Sequence, residues 1–78
     1  MSANLVTTKE LSKLLGVSIA SVNYYTNLGF FNIRERKGNT RLYDKNEIIS
    51  TYRRMGELRK EGYSLRLIQQ RLKKGYNI

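Results

Sequence analysis

The hydrophobic positions near the N-terminus follow the spacing of a short amphipathic helix. Leu11, Leu14 and Leu15 stand at i, i+3 and i+4, so they are predicted to form one inward stripe. Thr7 and Glu10 precede this stripe and have the spacing of a capping box. In a capping box, each side chain accepts a hydrogen bond from the backbone N–H of the other residue. The pattern therefore predicts a helix that begins directly after Thr7.

A second helix follows after a very short connection. Gly16 is expected to be the left-handed residue that ends the first helix. Ser18 is then placed to cap a helix over residues 19–27. Two capped helices joined by so short a turn must cross steeply, and this arrangement is a helix-turn-helix.

The second helix is predicted to have two chemically different faces. At 100° per residue, Ile19, Val22 and Thr26 fall on the inward side. Small side chains on the outer side would let the helix enter a groove, where asparagine can pair with adenine and tyrosine can donate to a phosphate. The alternative is that the tyrosines pack against the hairpin that follows. For Tyr25 the two interpretations are equally supported, whereas the outer position of Tyr24 favours contact with nucleic acid. The outer face and its flanks comprise Ala20, Ser21, Asn23, Tyr24, Tyr25 and Asn27.

A basic hairpin is predicted after the second helix. Phe31, Ile33 and Leu42 suit an inward strand face, and residues 37–39 supply the turn. Guanidinium groups beside a helix-turn-helix suit bidentate contact with phosphates, as in a wing. A charged edge that prevents aggregation is the alternative, and it accounts for one or two charges better than for four. The four basic side chains are Arg34, Arg36, Lys37 and Arg41.

Two further helices complete the predicted fold. Asp44 and Glu47 fit a second capping box at the start of a third helix, which Gly62 ends, and Ser64 caps a fourth helix that Gly75 ends. Tyr63, between them, is expected to fold back onto the core. The predicted inward positions are Ile48, Ile49, Tyr52, Met55 and Leu58 in the third helix and Leu65, Ile68 and Leu72 in the fourth.

The start of the fourth helix is a second candidate phosphate site. Backbone N–H groups at a helix N-terminus favour an anion, and Arg53, Arg54 and Arg66 are the charges expected to line this position with Ser64. For Arg71, Lys73 and Lys74, a solvated face is the better interpretation.

Charge agrees with an anionic partner. The 78 residues suffice for one small domain, with a core expected at about residues 6–74. Lys and Arg number 15 against 6 acidic residues, which gives a net charge of +9. Nearly all of the excess lies after residue 33, in the hairpin and the C-terminal helices. Such an electrostatic footprint favours nucleic acid over an inert basic surface.

Composition also excludes several kinds of chemistry. The chain has no cysteine and no histidine, so zinc sites, disulfides and thiol or imidazole catalysis are not expected. It has no Gly-rich phosphate loop, no apolar run of membrane-spanning length and no signal-peptide core. We therefore expect a cytoplasmic protein that is not an enzyme and binds no cofactor or metal.

Five short motifs resemble the winged helix-turn-helix domain of the MerR (mercury-resistance regulator) family. They are LGVS at 15–18, YY at 24–25, LGF at 28–30, RLY at 41–43 and GYSL at 62–65. The resemblance implies a mainly helical fold of four helices with a two-stranded antiparallel wing, acting as a double-stranded DNA-binding regulator. One departure is Asn23, where family members usually carry arginine. Together the motifs and the outer helix face predict these DNA-binding residues: Ser18, Ala20, Ser21, Asn23, Tyr24, Tyr25, Arg34, Arg36, Lys37, Arg41, Tyr43, Arg53, Arg54, Ser64 and Arg66.

The chain ends three residues after Gly75, whereas typical family members continue into a dimerisation helix and an effector domain. It thus resembles minimal BldC-like and excisionase-like members, whose copies lie head to tail on DNA; a truncated larger regulator is equally consistent. No small-molecule effector is expected from these residues. An excisionase-like architectural factor and a protein-interaction module that does not bind DNA remain the alternatives to a transcriptional regulator.

Overall fold

The computed structural model describes residues 4–73, with side chains through residue 71. Its described part confirms four helices and a basic hairpin, and it adds a strand. The predicted contacts of Leu72 and the predicted helix end at Gly75 lie outside the described side chains and residues. In chain order the elements are β1 (Leu5–Thr7), α1 (Thr8–Leu15), α2 (Ile19–Asn27), β2 (Glu35–Lys37), β3 (Thr40–Asp44), α3 (Lys45–Lys60) and α4 (Leu65–Lys73).

The ends of α1 and α2 form as their capping residues predict. Thr7 Oγ1 accepts the Glu10 N–H at 3.1 Å, and the Glu10 carboxylate accepts the Thr7 N–H at 2.8 Å, which completes the capping box. Gly16 has φ of 71°, a left-handed conformation that glycine adopts without a Cβ clash. Ser18 Oγ then accepts the Ser21 N–H at 3.0 Å. Each cap satisfies a backbone donor that has no partner within the helix, so the turn between the helices is fixed locally.

The sheet has three strands rather than the predicted two, in the order β1-β3-β2. The segment Leu5–Thr7 pairs antiparallel with β3, so that Val6 lies opposite Tyr43. The Lys45 N–H also donates to the Asn4 carbonyl at 2.8 Å. Pairing on both edges of β3 holds the wing to the start of α1 through main-chain hydrogen bonds.

The start of α3 corrects the second predicted capping box. Asp44 Oδ1 accepts the N–H groups of Asn46 at 3.0 Å and Glu47 at 3.2 Å, so the cap itself is present. The Glu47 carboxylate does not complete the box in the described structure; it lies 3.9 Å from Arg34 Nη1. The start of α3 is therefore capped by the Asp44 carboxylate.

The core lies between α1, α2, the sheet, α3 and α4. Two predictions about its boundary are wrong: Leu14 is 49% exposed and Ile19 is 46% exposed. In α1 the inward face is rotated toward Ser12. Ser12 is buried, and its hydroxyl is satisfied there because it donates to the Lys9 carbonyl at 2.8 Å. The buried hydrophobic residues of the core are Leu11, Val22, Phe30, Phe31, Tyr43, Ile48, Met55, Leu58 and Ile68.

Phe31 and Ile33 face the core without belonging to a strand. Phe31 is buried and Ile33 is half-buried, but β2 starts only at Glu35. The hairpin is therefore shorter than predicted, because these two side chains pack against the helices from a loop and not from the ladder.

The fourth helix is attached to the second by a contact that the sequence did not suggest. Gln69 Nε2 donates to the Leu28 carbonyl at 2.8 Å, at the end of α2. Tyr63 packs against the core as predicted, and its N–H donates to the Leu58 carbonyl at 3.0 Å. Among residues 4–73, no helix has the length and apolar character needed to cross a membrane.

Candidate nucleic-acid interface

The inner face of α2 is anchored by a hydroxyl pair. Val22 is fully buried, and Thr26 Oγ1 donates to the Val22 carbonyl at 2.8 Å. Thr26 Oγ1 also lies 2.9 Å from the Tyr43 hydroxyl. Because a threonine hydroxyl has one proton, already directed to Val22, the Tyr43 hydroxyl is the donor in this pair. This bond ties α2 to β3 and sets how the helix is rotated about its axis.

The position of Tyr43 corrects its predicted contact with DNA. Its side chain is 0% exposed, so in this conformation no DNA atom reaches it. Tyr43 instead supports α2 from the core side, through its hydrogen bond to Thr26. The sequence motif placed it correctly beside the wing but could not show which side of β3 it occupies.

The outer face of α2 is open to solvent. Tyr24 is 54% exposed, and Ser18 and Ala20 are exposed as well. Ser21 and Asn23 are half-buried on the two flanks, and Ser18 Oγ donates to Ser21 Oγ at 3.0 Å. A helix with small exposed residues near its start can approach a groove closely.

Tyr25 faces away from the wing and belongs to an aromatic cluster. Its ring centroid lies 5.4 Å from that of Phe31, 6.4 Å from Phe30 and 6.3 Å from Tyr52. The alternative prediction for Tyr25, packing against the segment after α2, agrees with the structure: Tyr25 packs against Phe31, which was predicted to belong to the hairpin, and also against Tyr52 of α3. Tyr24 is 5.8 Å away on the open side.

A cleft of about 550 Å³ separates α2 from the wing. Arg41 Nη1 is buried there and has no hydrogen-bond partner among the described residues. An unpartnered buried guanidinium nitrogen is costly. Because this nitrogen is closed to solvent, an anionic group in the cleft would reach it only after the Arg41 side chain shifts outward. The lining residues are Thr7, Thr8, Lys9, Ile19, Asn23, Asn27, Asn39, Thr40 and Arg41.

Two predicted wing arginines lie directly opposite each other. Arg36 of β2 is paired in register with Arg41 of β3, so their side chains project from the same face. Like charges at facing positions destabilise a hairpin. A strand edge whose charges only prevent aggregation would not need two arginines placed opposite each other. Lys37 is exposed next to the turn, where Gly38 has φ of 63°.

The remaining predicted contacts are exposed but are not all free of partners. Arg34 lies 3.9 Å from Glu47, and Arg54 lies 3.5 Å from Glu57, both as surface ion pairs. Such pairs are weak in water, so a phosphate can replace them. Arg53 and Arg66 are exposed, and Ser64 Oγ accepts the Leu67 N–H at 3.1 Å, which leaves one donor fewer at the start of α4 for an anion.

Of the residues that line the cleft, only Asn23 and Arg41 were predicted to bind DNA. The others were not: Thr7, Thr8, Lys9, Ile19, Asn27, Asn39 and Thr40. Asn27 belonged to the predicted outer flank of α2, and its amide was a usable signal. Thr8 and Lys9 carried no signal, because only the pairing of β1 with β3 brings the start of α1 to the wing.

Comparison with known proteins agrees with this architecture. A family model described as a MerR HTH family regulatory protein matches residues 6–75. No curated protein and no solved structure matches the chain. Since the family model covers most of the chain, from β1 to beyond α4, and the described residues contain its helix-turn-helix, the protein belongs to the MerR family of DNA-binding helix-turn-helix regulatory proteins.

Proposed function

We propose that this protein is a sequence-specific transcriptional regulator that inserts α2 into the major groove of DNA while the wing contacts phosphates of the adjacent DNA backbone. The observation that carries the proposal is the Arg36–Arg41 pair: Arg41 lines the cleft between α2 and the wing, and its Nη1 has no hydrogen-bond partner among the described residues. Like charges at facing positions of a hairpin repel each other, as the register of Arg36 and Arg41 implies. A phosphate between or beside them removes that repulsion.

The roles divide by chemistry. Contacts from Arg34, Arg36, Lys37 and Arg41 fix position on the backbone and carry little sequence information. Asn23 and Tyr24 supply the groups that reach into the groove, where an asparagine amide matches the N6 and N7 edge of adenine. Ala20 and Ser21 leave room for this approach. Arg53, Arg54, Arg66 and the start of α4 form the second phosphate contact.

The test measures duplex affinity across a series of salt concentrations. Starting from a site selected out of a random duplex library, the slope of log affinity against log salt is expected to equal about −0.9 for each phosphate contacted. Replacing both Arg36 and Lys37 by Ala should reduce affinity for selected and random duplexes alike and make this slope shallower by about 2. Replacing Asn23 by Ala should lower affinity only for the selected site.

Arg71→Ala provides the charge-matched control. Arg71 is exposed on α4, outside the cleft, and lies 5.9 Å from the ring of Tyr63. Its removal should change affinity less than removal of Arg36. Equal losses for Arg36→Ala and Arg71→Ala would show that net charge, and not the wing, determines binding. Absence of salt-sensitive duplex binding would favour the protein-interaction module.

The length of the protected DNA separates the regulator from an architectural factor. A single regulator site should give one short footprint at saturation. A factor that coats DNA head to tail should extend its footprint in repeated steps as the protein concentration rises, because heterologous contacts generate open arrays.

A further inference from the structure

An exposed isoleucine lies in the polar cleft between α2 and the wing. Ile19 is the first residue of α2 and is 46% exposed, although it was predicted to be buried. The other residues that line the cleft carry hydroxyl, amide or charged groups. The packing of the core therefore does not account for the exposed part of this side chain.

Ile19 stands one helical turn before Asn23 on the wing side of α2. Residues at i and i+4 lie nearly above one another on a helix, separated by about 6 Å along its axis. Both side chains line the cleft. Base pairs are spaced by about 3.4 Å, so a helix lying along the groove places these two side chains within about two base-pair steps of each other.

We propose that Ile19 reads a thymine by contacting its 5-methyl group in the major groove, within about two base-pair steps of the base that Asn23 contacts. The inference rests on the proposed function, with α2 in the major groove. Among the four bases only thymine presents a methyl group there, and apolar side chains are the groups that contact it. The amide of Asn23 and the methyl-binding surface of Ile19 together select a short A·T-containing sequence.

Scattered apolar residues on protein surfaces are common, and Leu14 provides the matched control for that explanation. It is a leucine of α1 with 49% exposure, nearly that of Ile19, and it does not line the cleft. Ile19→Ala and Leu14→Ala remove similar apolar surface from the two helices, so a general effect of surface hydrophobicity would appear in both variants.

The experiment removes the methyl group from the DNA. After selection of a site from a random duplex library, each thymine of the site is replaced in turn by uracil, which keeps the base pairing and deletes only the 5-methyl group. One substitution should weaken binding of the unaltered protein about fourfold, the factor that corresponds to one buried methyl-sized group. Ile19→Ala should bind the thymine and uracil duplexes equally, whereas Leu14→Ala should retain the difference.

The outcomes separate the two proposals. If the protein selects a site but no uracil substitution weakens binding, the thymine contact is refuted and the regulator proposal stands. The same conclusion follows if Ile19→Ala still distinguishes thymine from uracil. If no site is enriched over random duplex, sequence-specific recognition fails, and the thymine contact with it. Because the uracil series uses the unaltered protein, it does not depend on how the variants fold.

Discussion

The two faces of α2 are nine residues of one helix used in opposite ways. On the inner face, Val22 is fully buried, and Thr26 is bonded both to the Val22 carbonyl and to Tyr43. On the outer face, Tyr24 is 54% exposed and Ala20 is open to solvent. Because the inner face supplies the contacts that hold α2 in the fold, the side chains of the outer face are free to serve a partner and need not contribute to stability.

The neighbouring tyrosines show the division most clearly. Tyr25 contacts three aromatic rings of the interior, while Tyr24 contacts only the edge of that cluster through Tyr25. One step of 100° along the helix separates a structural residue from a candidate functional one. The comparison predicts that inner variants lose stability and outer variants lose binding.

The largest effect is expected for Tyr43→Ala. Removing a large, fully buried aromatic side chain leaves a cavity, and such replacements cost about 3–5 kcal/mol. The free energy of unfolding, measured by urea denaturation followed by circular dichroism, should fall by this amount. A fully stable Tyr43→Ala variant would contradict the anchoring role of the inner face.

A smaller loss of stability is expected for Tyr25→Ala. Tyr25 is half-buried, and its contacts with Phe30, Phe31 and Tyr52 are edge-on aromatic pairs. Loss of partial burial together with these pairs should cost about 2 kcal/mol in the same denaturation assay. If Tyr25→Ala weakens DNA binding without changing stability, Tyr25 belongs to the outer face and the division is wrong.

Tyr43→Phe tests the hydrogen bond alone. It keeps the ring but deletes the hydroxyl that donates to Thr26 Oγ1. Since Thr26 still donates to the Val22 carbonyl, no buried donor is left without a partner, and the loss should be about 1 kcal/mol.

A double-mutant cycle with Thr26→Val supplies the control for this bond. In the Thr26→Val background the Tyr43 hydroxyl has already lost its partner. Tyr43→Phe should therefore cost nothing there, and equal costs in the two backgrounds would show that the bond does not stabilise the protein.

The smallest effect on stability is expected for Tyr24→Ala. Its exposed side chain contributes little packing, so the free energy of unfolding should change by less than about 0.5 kcal/mol. Affinity for the selected duplex should nevertheless fall, as measured by fluorescence anisotropy. A stability loss like that of Tyr25→Ala, without a change in affinity, would make both tyrosines structural.

Much of the fold could be predicted because its signals are local. The capping box at Thr7, the left-handed Gly16 and the cap at Ser18 each depend on atoms within a few residues, and all three form as predicted. The short strand β1 could not be predicted, since a strand of three residues has no periodicity of its own and exists by pairing with β3.

The candidate site was predicted less completely. The wing charges were evident from composition, but the opposition of Arg36 and Arg41 is a matter of strand register. Ile19 was predicted to face inward and Tyr43 to contact DNA, and both predictions were wrong: Ile19 is exposed and Tyr43 is buried. Helical periodicity gives angles around an axis, whereas the packing partners decide which angle faces the core.

The sequence by itself therefore determined the helices, the residues that cap their N-termini, the basic hairpin and the family, because each follows from short-range chemistry or from motifs in order. Only the tertiary structure decided that the start of α1, the wing and one edge of α2 share a cleft, and that Ile19 lies in it. The physical reason is that a surface between elements depends on contacts distant in sequence: the β1–β3 pairing, the Tyr43–Thr26 bond and the Gln69–Leu28 bond.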